Sequence, residues 1–189
     1  MKPAVCAVAM GLALASASTA WSASTAGLAI ADAGLKGAQA LVVSSPQIPS
    51  DGAIPELYSA YGKGVSPPLT WGKGPYGTRS FALIVEDPDA PLPTPFVHWM
   101  VWNIPVVTTS VAEGAVPAGA SQGKLMFVGT VGYMGPRPPD PAPHHYHFQV
   151  FALDKDLDLP AGAERAALAE AMKGHVLASG ELVAAYQKK

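Results

Sequence analysis

Residues 81–104 constrain this chain more than any other stretch. They run Phe-Ala-Leu-Ile-Val-Glu-Asp-Pro-Asp-Ala-Pro over 81–91, then Leu-Pro-Thr-Pro, then Phe-Val-His-Trp-Met-Val-Trp-Asn-Ile over 96–104. An unbroken apolar run such as 81–85 reads as a strand covered on both faces. Residues 97–104 alternate, which predicts a second strand with Val97, Trp99 and Val101 on one face and His98, Met100 and Trp102 on the other. Between the two, aspartates flanked by prolines make a stiff connection. Asp87, Asp89 and His98 then lie near one end of a sheet, and loops carried on a rigid sheet are where binding chemistry concentrates.

The remaining sequence extends this β reading. Nineteen glycines and nineteen prolines in 189 residues mean many turns, hence sheet rather than helix bundle. Residues 40–44 and 54–61 read as short strands, and 64–71 as an extended, proline-locked segment ending in Trp71. Residues 106–123 read as a long polar loop and 124–129 as a strand. The five prolines of 132–143 exclude a central strand and predict an ordered loop or flap. Residues 144–153 alternate again, with Tyr146, Phe148 and Val150 on one face. Helix formers over 163–173, closed by Gly174, predict one helix with Leu168 and Met172 sharing a face. Residues 180–186 suit a closing strand. The fold class is mostly β, one domain over residues 40–187, with one or two short helices near the C-terminus.

Met1-Lys2, an apolar segment and a run of small residues read as a secretory signal peptide over about residues 1–23, with cleavage after Ala20, Ala23 or Ala26. Residues 25–39 read as loose. The one cysteine, Cys6, falls inside the signal, so the processed chain is expected to lack thiols and to reside in the periplasm or outside the cell. A formal net charge of -2, with no basic cluster, argues against nucleic acid as a partner.

Several polar residues stand out from the apolar background. Protonated imidazole and a tyrosine hydroxyl are donors to oxyanions, so His98, His144 and Tyr146 suit an anion site. A carboxylate such as Asp87 beside an imidazole favours its charged form, which predicts anion binding that weakens as pH rises. Blander readings exist for each residue. Asp87 and Asp89 also fit plain turn formers, and a histidine on an apolar strand is more often a satisfied core residue. His144, His145 and His147 invite a metal, yet only 145 and 147 share a strand face, and zinc needs more ligands. No Gly-x-Ser-x-Gly elbow and no phosphate-cradling glycine loop is present, so neither a catalytic nucleophile nor a cofactor is indicated.

Asp87-Pro-Asp-Ala-Pro91, His98-Trp99, and Gly135-Pro-Arg-Pro-Pro139 leading to His144-His-Tyr146 together resemble the phosphatidylethanolamine-binding protein family, in its bacterial Raf-kinase-inhibitor-like branch. The resemblance implies a β-sandwich-like fold with a small anion pocket at one end, lined by Asp87, His98, His144 and Tyr146. It implies a rim shaped by Asp89, Pro91, Pro138 and Pro139. Arg137 stands where animal members have glycine, and His145 where a basic residue is common, and both bear on ligand size. The expected function is non-enzymatic binding of small oxyanions or phospholipid head groups, with membrane-surface contact and dimerisation both open. An interaction or protease-inhibiting module working through the pocket rim, with a periplasmic protein as partner, is the alternative, and a hydrolase or lyase the weaker one.

Overall fold

The computed structural model describes residues 27–33, 39–49, 52–125, 129–139 and 141–188. The signal peptide expected over residues 1–23 lies outside them. The described elements are α1 (Ala29–Asp32), β1 (Gln39–Ala40), β2 (Val43–Ser44), β3 (Leu69–Trp71), β4 (Ser80–Asp87), β5 (Phe96–Pro105), β6 (Ser110–Val111), β7 (Ser121–Gln122), β8 (His144–Leu153), α2 (Arg165–Met172) and β9 (Val176–Tyr186). They form a six-stranded sheet in the order β1-β9-β8-β4-β5-β7 and a three-stranded sheet in the order β2-β3-β6. All pairings are antiparallel except β1 with β9. The fold is therefore mostly β, as the turn-rich composition predicts.

Strand β4 is the centre of the large sheet, and every one of its residues is buried. Its two faces serve two cores. Phe81, Leu83 and Val85 join Trp99, Val101, Phe148 and Val150 against Leu69, Trp71 and Val111 of the small sheet. Ala82 and Ile84 join Met100, Trp102, Phe151 and Leu153 beneath Leu168 and Met172 of α2. One sheet face thus makes a sandwich and the other is roofed by helix, which is why the apolar run of β4 is unbroken.

Two bulges interrupt β5. Val85 faces Trp99 while Glu86 faces Val97, and Phe81 faces Ile104 while Leu83 faces Val101, so β5 carries an extra residue at each place. The second bulge holds Asn103 at φ 57°, where its side chain donates to the Leu157 carbonyl at 3.0 Å and accepts from the Leu157 amide at 2.7 Å. The first bulge corrects the simple alternation expected over 97–104. Val97 packs with Met100 and Trp102 on the helix side, while Trp99 packs between the sheets. His98 is turned to the sandwich side, where its ring meets Tyr146 at 5.0 Å.

Other expectations are corrected locally. Residues 54–61 are not a strand: Glu56–Tyr58 forms a 3-10 turn after a single bridge from Ala53 to Ala185. The first strand is two short ones, because the chain leaves the large sheet after Ala40 and enters the small one at Val43. The loop 106–123 contributes β6 and β7. Lys124 makes only an isolated bridge to Val131, and residues 126–128 lie outside the described set. The stretch 25–39, read as loose, contains α1, with Leu28 and Ala29 fully buried. Only α2 lies near the C-terminus. It ends as expected, with Leu168 and Met172 buried and Gly174 at φ 78°.

Candidate functional site

The C-terminal end of β4 meets the N-terminal ends of β5 and β8, because β4 runs antiparallel to both. Asp87, His98, His144 and Tyr146 come together there, between 1% and 4% exposed. Asp87 is the hub. Its Oδ2 accepts from His144 Nδ1 at 2.7 Å, and its Oδ1 accepts from the backbone amides of Asp89 and Ala90 at 2.9 and 3.1 Å. One oxygen of Asp87 thus closes the turn, as the turn-forming reading expects, and the other aims an imidazole.

His98 is aimed by backbone. Its Nδ1 lies 2.7 Å from the Met134 carbonyl, and the Met134 amide donates to the His98 carbonyl at 2.8 Å. A carbonyl can only accept, so Nδ1 carries the proton; a carboxylate imposes the same on His144 Nδ1. Both rings therefore turn Nε2 away from their anchors, and neither Nε2 bonds a described residue. Phe96 packs on His98 at 4.9 Å from the other side. Tyr146 Oη is buried without a regular hydrogen-bond partner, although the Arg137 backbone amide lies near it.

Burial dominates the electrostatics. It pushes the His98 pKa below the ordinary histidine value, with neighbouring His144 acting in the same direction. The Met134 carbonyl and the Asp87 carboxylate pull the other way without prevailing. The expectation that Asp87 keeps its neighbours charged thus does not hold for His98, because desolvation of a buried cation outweighs a carboxylate that is already hydrogen-bonded three times. Burial, then Asp87, also raises the Tyr146 hydroxyl, so it stays a neutral donor.

The rim residues separate into distinct roles. Asp89 Oδ2 accepts from the His145 amide at 2.8 Å and from His145 Nδ1 at 2.6 Å, tying the β4–β5 loop to β8. Residues 132–139 are fastened beside the site, with the Ala60 amide donating to the Pro136 carbonyl at 3.0 Å. Gly135 is required there, since a Cβ would come within 2.6 Å of the Ser59 backbone. Pro138 is buried, while Pro91, Pro139 and Arg137 are exposed, and Arg137 makes no ion pair among the described residues. His147 pairs with Glu181 at 2.9 Å, away from the cluster, and no group of three or more potential metal ligands occurs among the described residues.

Sequence reasoning missed a second polar cluster on the helix side. Fully buried Glu86 bonds Arg165 at the start of α2, accepts from Gln149 Nε2 at 2.7 Å, and accepts from the Ala29 amide at 2.7 Å. The Ile30 amide donates to Gln149 Oε1 at 2.7 Å, so this cluster fastens α1 to the sheet. The available signal was one glutamate inside an apolar strand. A cavity of about 450 Å³ lies on the same side, lined by Thr94, Val97, Lys124, Leu125 and Arg165 among others. It contains none of the four clustered residues.

Fold and site together define a class: a two-sheet β-sandwich whose polar groups converge on the strand ends beneath a proline-rich loop. The sequence profile of phosphatidylethanolamine-binding proteins matches residues 44–187, and the chain belongs to that family. Among its relatives, a Methanothermobacter thermautotrophicus UPF0098 protein is 42% identical over 142 residues, spanning 72% of this chain and 92% of its own. The solved structure of the Chlamydia trachomatis homologue CT736 superposes with a TM-score of 0.74 at 39% identity, covering 80% of this chain and all of that one. Escherichia coli YbcL gives the same TM-score at 32% identity, covering 79% of this chain and 99% of its own.

Proposed function

We propose that this chain is an exported, non-catalytic binding module for small oxyanions, including the phosphoryl part of lipid head groups. The observation that carries this reading is a set of unused polar atoms in one place. Tyr146 Oη is buried without a regular partner, and the Nε2 atoms of His98 and His144 are unbonded beside it. A buried polar atom is rarely left unmatched, so Tyr146 Oη, with two imidazole nitrogens near it that no described residue engages, marks a place for a ligand. Oxyanion oxygens suit them because Tyr146 is a fixed neutral donor and each imidazole gains a donor at Nε2 when protonated.

Export rests on the hydrophobic leader and on the anchoring of Leu28 and Ala29 in the core, which leaves cleavage after Ala20, Ala23 or Ala26 compatible with the fold. A relative from Mycobacterium tuberculosis, 36% identical over 151 residues, carries a lipoprotein name, in keeping with a life outside the cytoplasm. Intact-mass measurement of the expressed protein should show loss of 20 to 26 residues. An uncleaved cytoplasmic chain would contradict export without touching the pocket.

Calorimetric titration with inorganic phosphate tests binding itself. Asp87→Asn should lower affinity by about ten- to a hundredfold, since it disturbs a charge-assisted bond that aims His144, and Tyr146→Phe by roughly two- to tenfold. Folded variants that bind phosphate as well as the parent would overturn the assignment.

A further inference from the structure

A second site lies on the other face of β5 and does not depend on the strand-end cluster. The bulge that turns His98 towards the sandwich leaves its neighbour Val97 on the helix side, where it lines the cavity of about 450 Å³. Cavities of this size are ordinary for a bound small molecule. Val97 and Leu125, 1% and 3% exposed, give it an apolar wall. The stem of Lys124 lies along the lining too, since a Cβ at Gly129 would stand 3.7 Å from Lys124 Cε.

The polar part of the lining has donors to spare. Arg165 commits Nε to buried Glu86, and Nη2 to the Gly27 carbonyl and to Asp32 Oδ2 at 3.0 Å. Its Nη1 bonds nothing among the described residues, so two N–H groups stay open on a side chain that lines the cavity. Lys124 also makes no ion pair among the described residues. Its amide donates to the Ala163 carbonyl at 3.2 Å, which brings both cationic residues to the same end of α2. Glu164 lines the cavity as well, but it is exposed and pairs with neither cation.

We infer that this cavity binds an aliphatic monocarboxylate, with its chain against Val97 and Leu125 and its carboxylate taking bonds from Arg165 Nη1 and Lys124 Nζ. A hydrocarbon alone would leave both donors unmatched, and a cationic amphiphile would meet two like charges. Bonds from ionised donors to a carboxylate are the strong ones. Glu86 and Asp32 already balance Arg165, so Lys124 supplies the free charge and Arg165 the directed hydrogen bonds. Glu164 opposes the ligand from the exposed side and holds its affinity down.

Butanoate, hexanoate and octanoate test this by calorimetric titration at about pH 7.5, where carboxylates and amines are both charged. Octan-1-ol and octylammonium serve as the uncharged and cationic counterparts of octanoate. Octanoate should bind about ten- to a hundredfold more tightly than octan-1-ol, the range for a lost charge-assisted bond, and octylammonium more weakly still. Each pair of methylenes from butanoate to octanoate should tighten binding by roughly tenfold. Lys124→Gln should weaken octanoate by about two- to tenfold and leave octan-1-ol unchanged. Glu164→Gln, which removes no helix cap, should strengthen octanoate by about two- to fivefold. Thr94→Trp and Ala166→Trp, at exposed lining positions, should each fill the cavity and abolish binding while circular dichroism stays native. Saturating inorganic phosphate should leave octanoate binding unchanged, because the strand-end cluster lies on the opposite face. Octanoate that still binds both tryptophan variants, or competes with phosphate, would overturn the assignment. Octylammonium binding as tightly as octanoate, or no octanoate binding at millimolar concentration, would overturn it too, and neither result bears on phosphate at the cluster.

Discussion

At His98, burial and hydrogen bonding act in opposition, and the outcome has a measurable sign. The side chain is almost wholly buried, with one nitrogen fixed to the Met134 carbonyl. Its folded pKa is lowered below that of the unfolded chain, so the unfolded state binds more protons as the solution turns acidic. Stability from this residue is complete above the unfolded value of about 6.5 and is lost as pH falls through that value towards the folded pKa. Denaturant titrations should show the native protein losing up to about 1.4 kcal/mol per pH unit across this window relative to His98→Phe. Parallel pH dependences for the two proteins would contradict a neutral buried His98. Asp87 poses the complementary case, since a single carboxylate both closes a turn and orients an imidazole.

At the scale of elements, the tightest approach is where the chain passes from one sheet to the other. Between β1 and β2 the backbone runs over β9, with the Leu41 amide donating to the Ser179 carbonyl at 2.7 Å. A Cβ at Gly180 would collide with the Leu41 carbonyl, so the crossing depends on that glycine. Gly180→Ala should separate β1 from β9 and lower stability by about 1–3 kcal/mol, read from thermal or denaturant unfolding. An unchanged midpoint would show that the crossing tolerates displacement. The same local detail explains what was legible beforehand. Strands β4 and β8 announce themselves by apolar run and alternation, and α2 by its helix formers and closing glycine. The two-residue strands β6 and β7 carry no periodicity to read. The segment 54–61 looks extended, yet Pro55 leads into a 3-10 turn. The bulge at His98 could not be read from spacing, because an extra residue shows only against its partner strand. The motifs nevertheless singled out four side chains that the fold brings to one place, since Asp87, His144 and Tyr146 lie on strand ends that pair in simple antiparallel register.

Across the whole molecule, one sheet divides two functions. Its sandwich face supplies the rigid core behind Asp87, His98, His144 and Tyr146, while its helix face fastens α1 and α2 through Glu86, Gln149 and Arg165. The α1 segment and the strand-end cluster are thus held on opposite faces of β4. The paired histidines offer a built-in comparison. His147 and His175 also bond carboxylates through Nδ1, with Glu181 and Asp154, but they lie outside the cluster. Long-range nitrogen–proton correlation spectra of the histidine rings, recorded while inorganic phosphate is added, read every imidazole at once. A phosphate pocket at the strand ends predicts that the Nε2 signals of His98 and His144 shift together and saturate, while those of His147 and His175 stay in place. Shifts spread equally over all the histidines, or none at His98 and His144 at saturating phosphate, would contradict it.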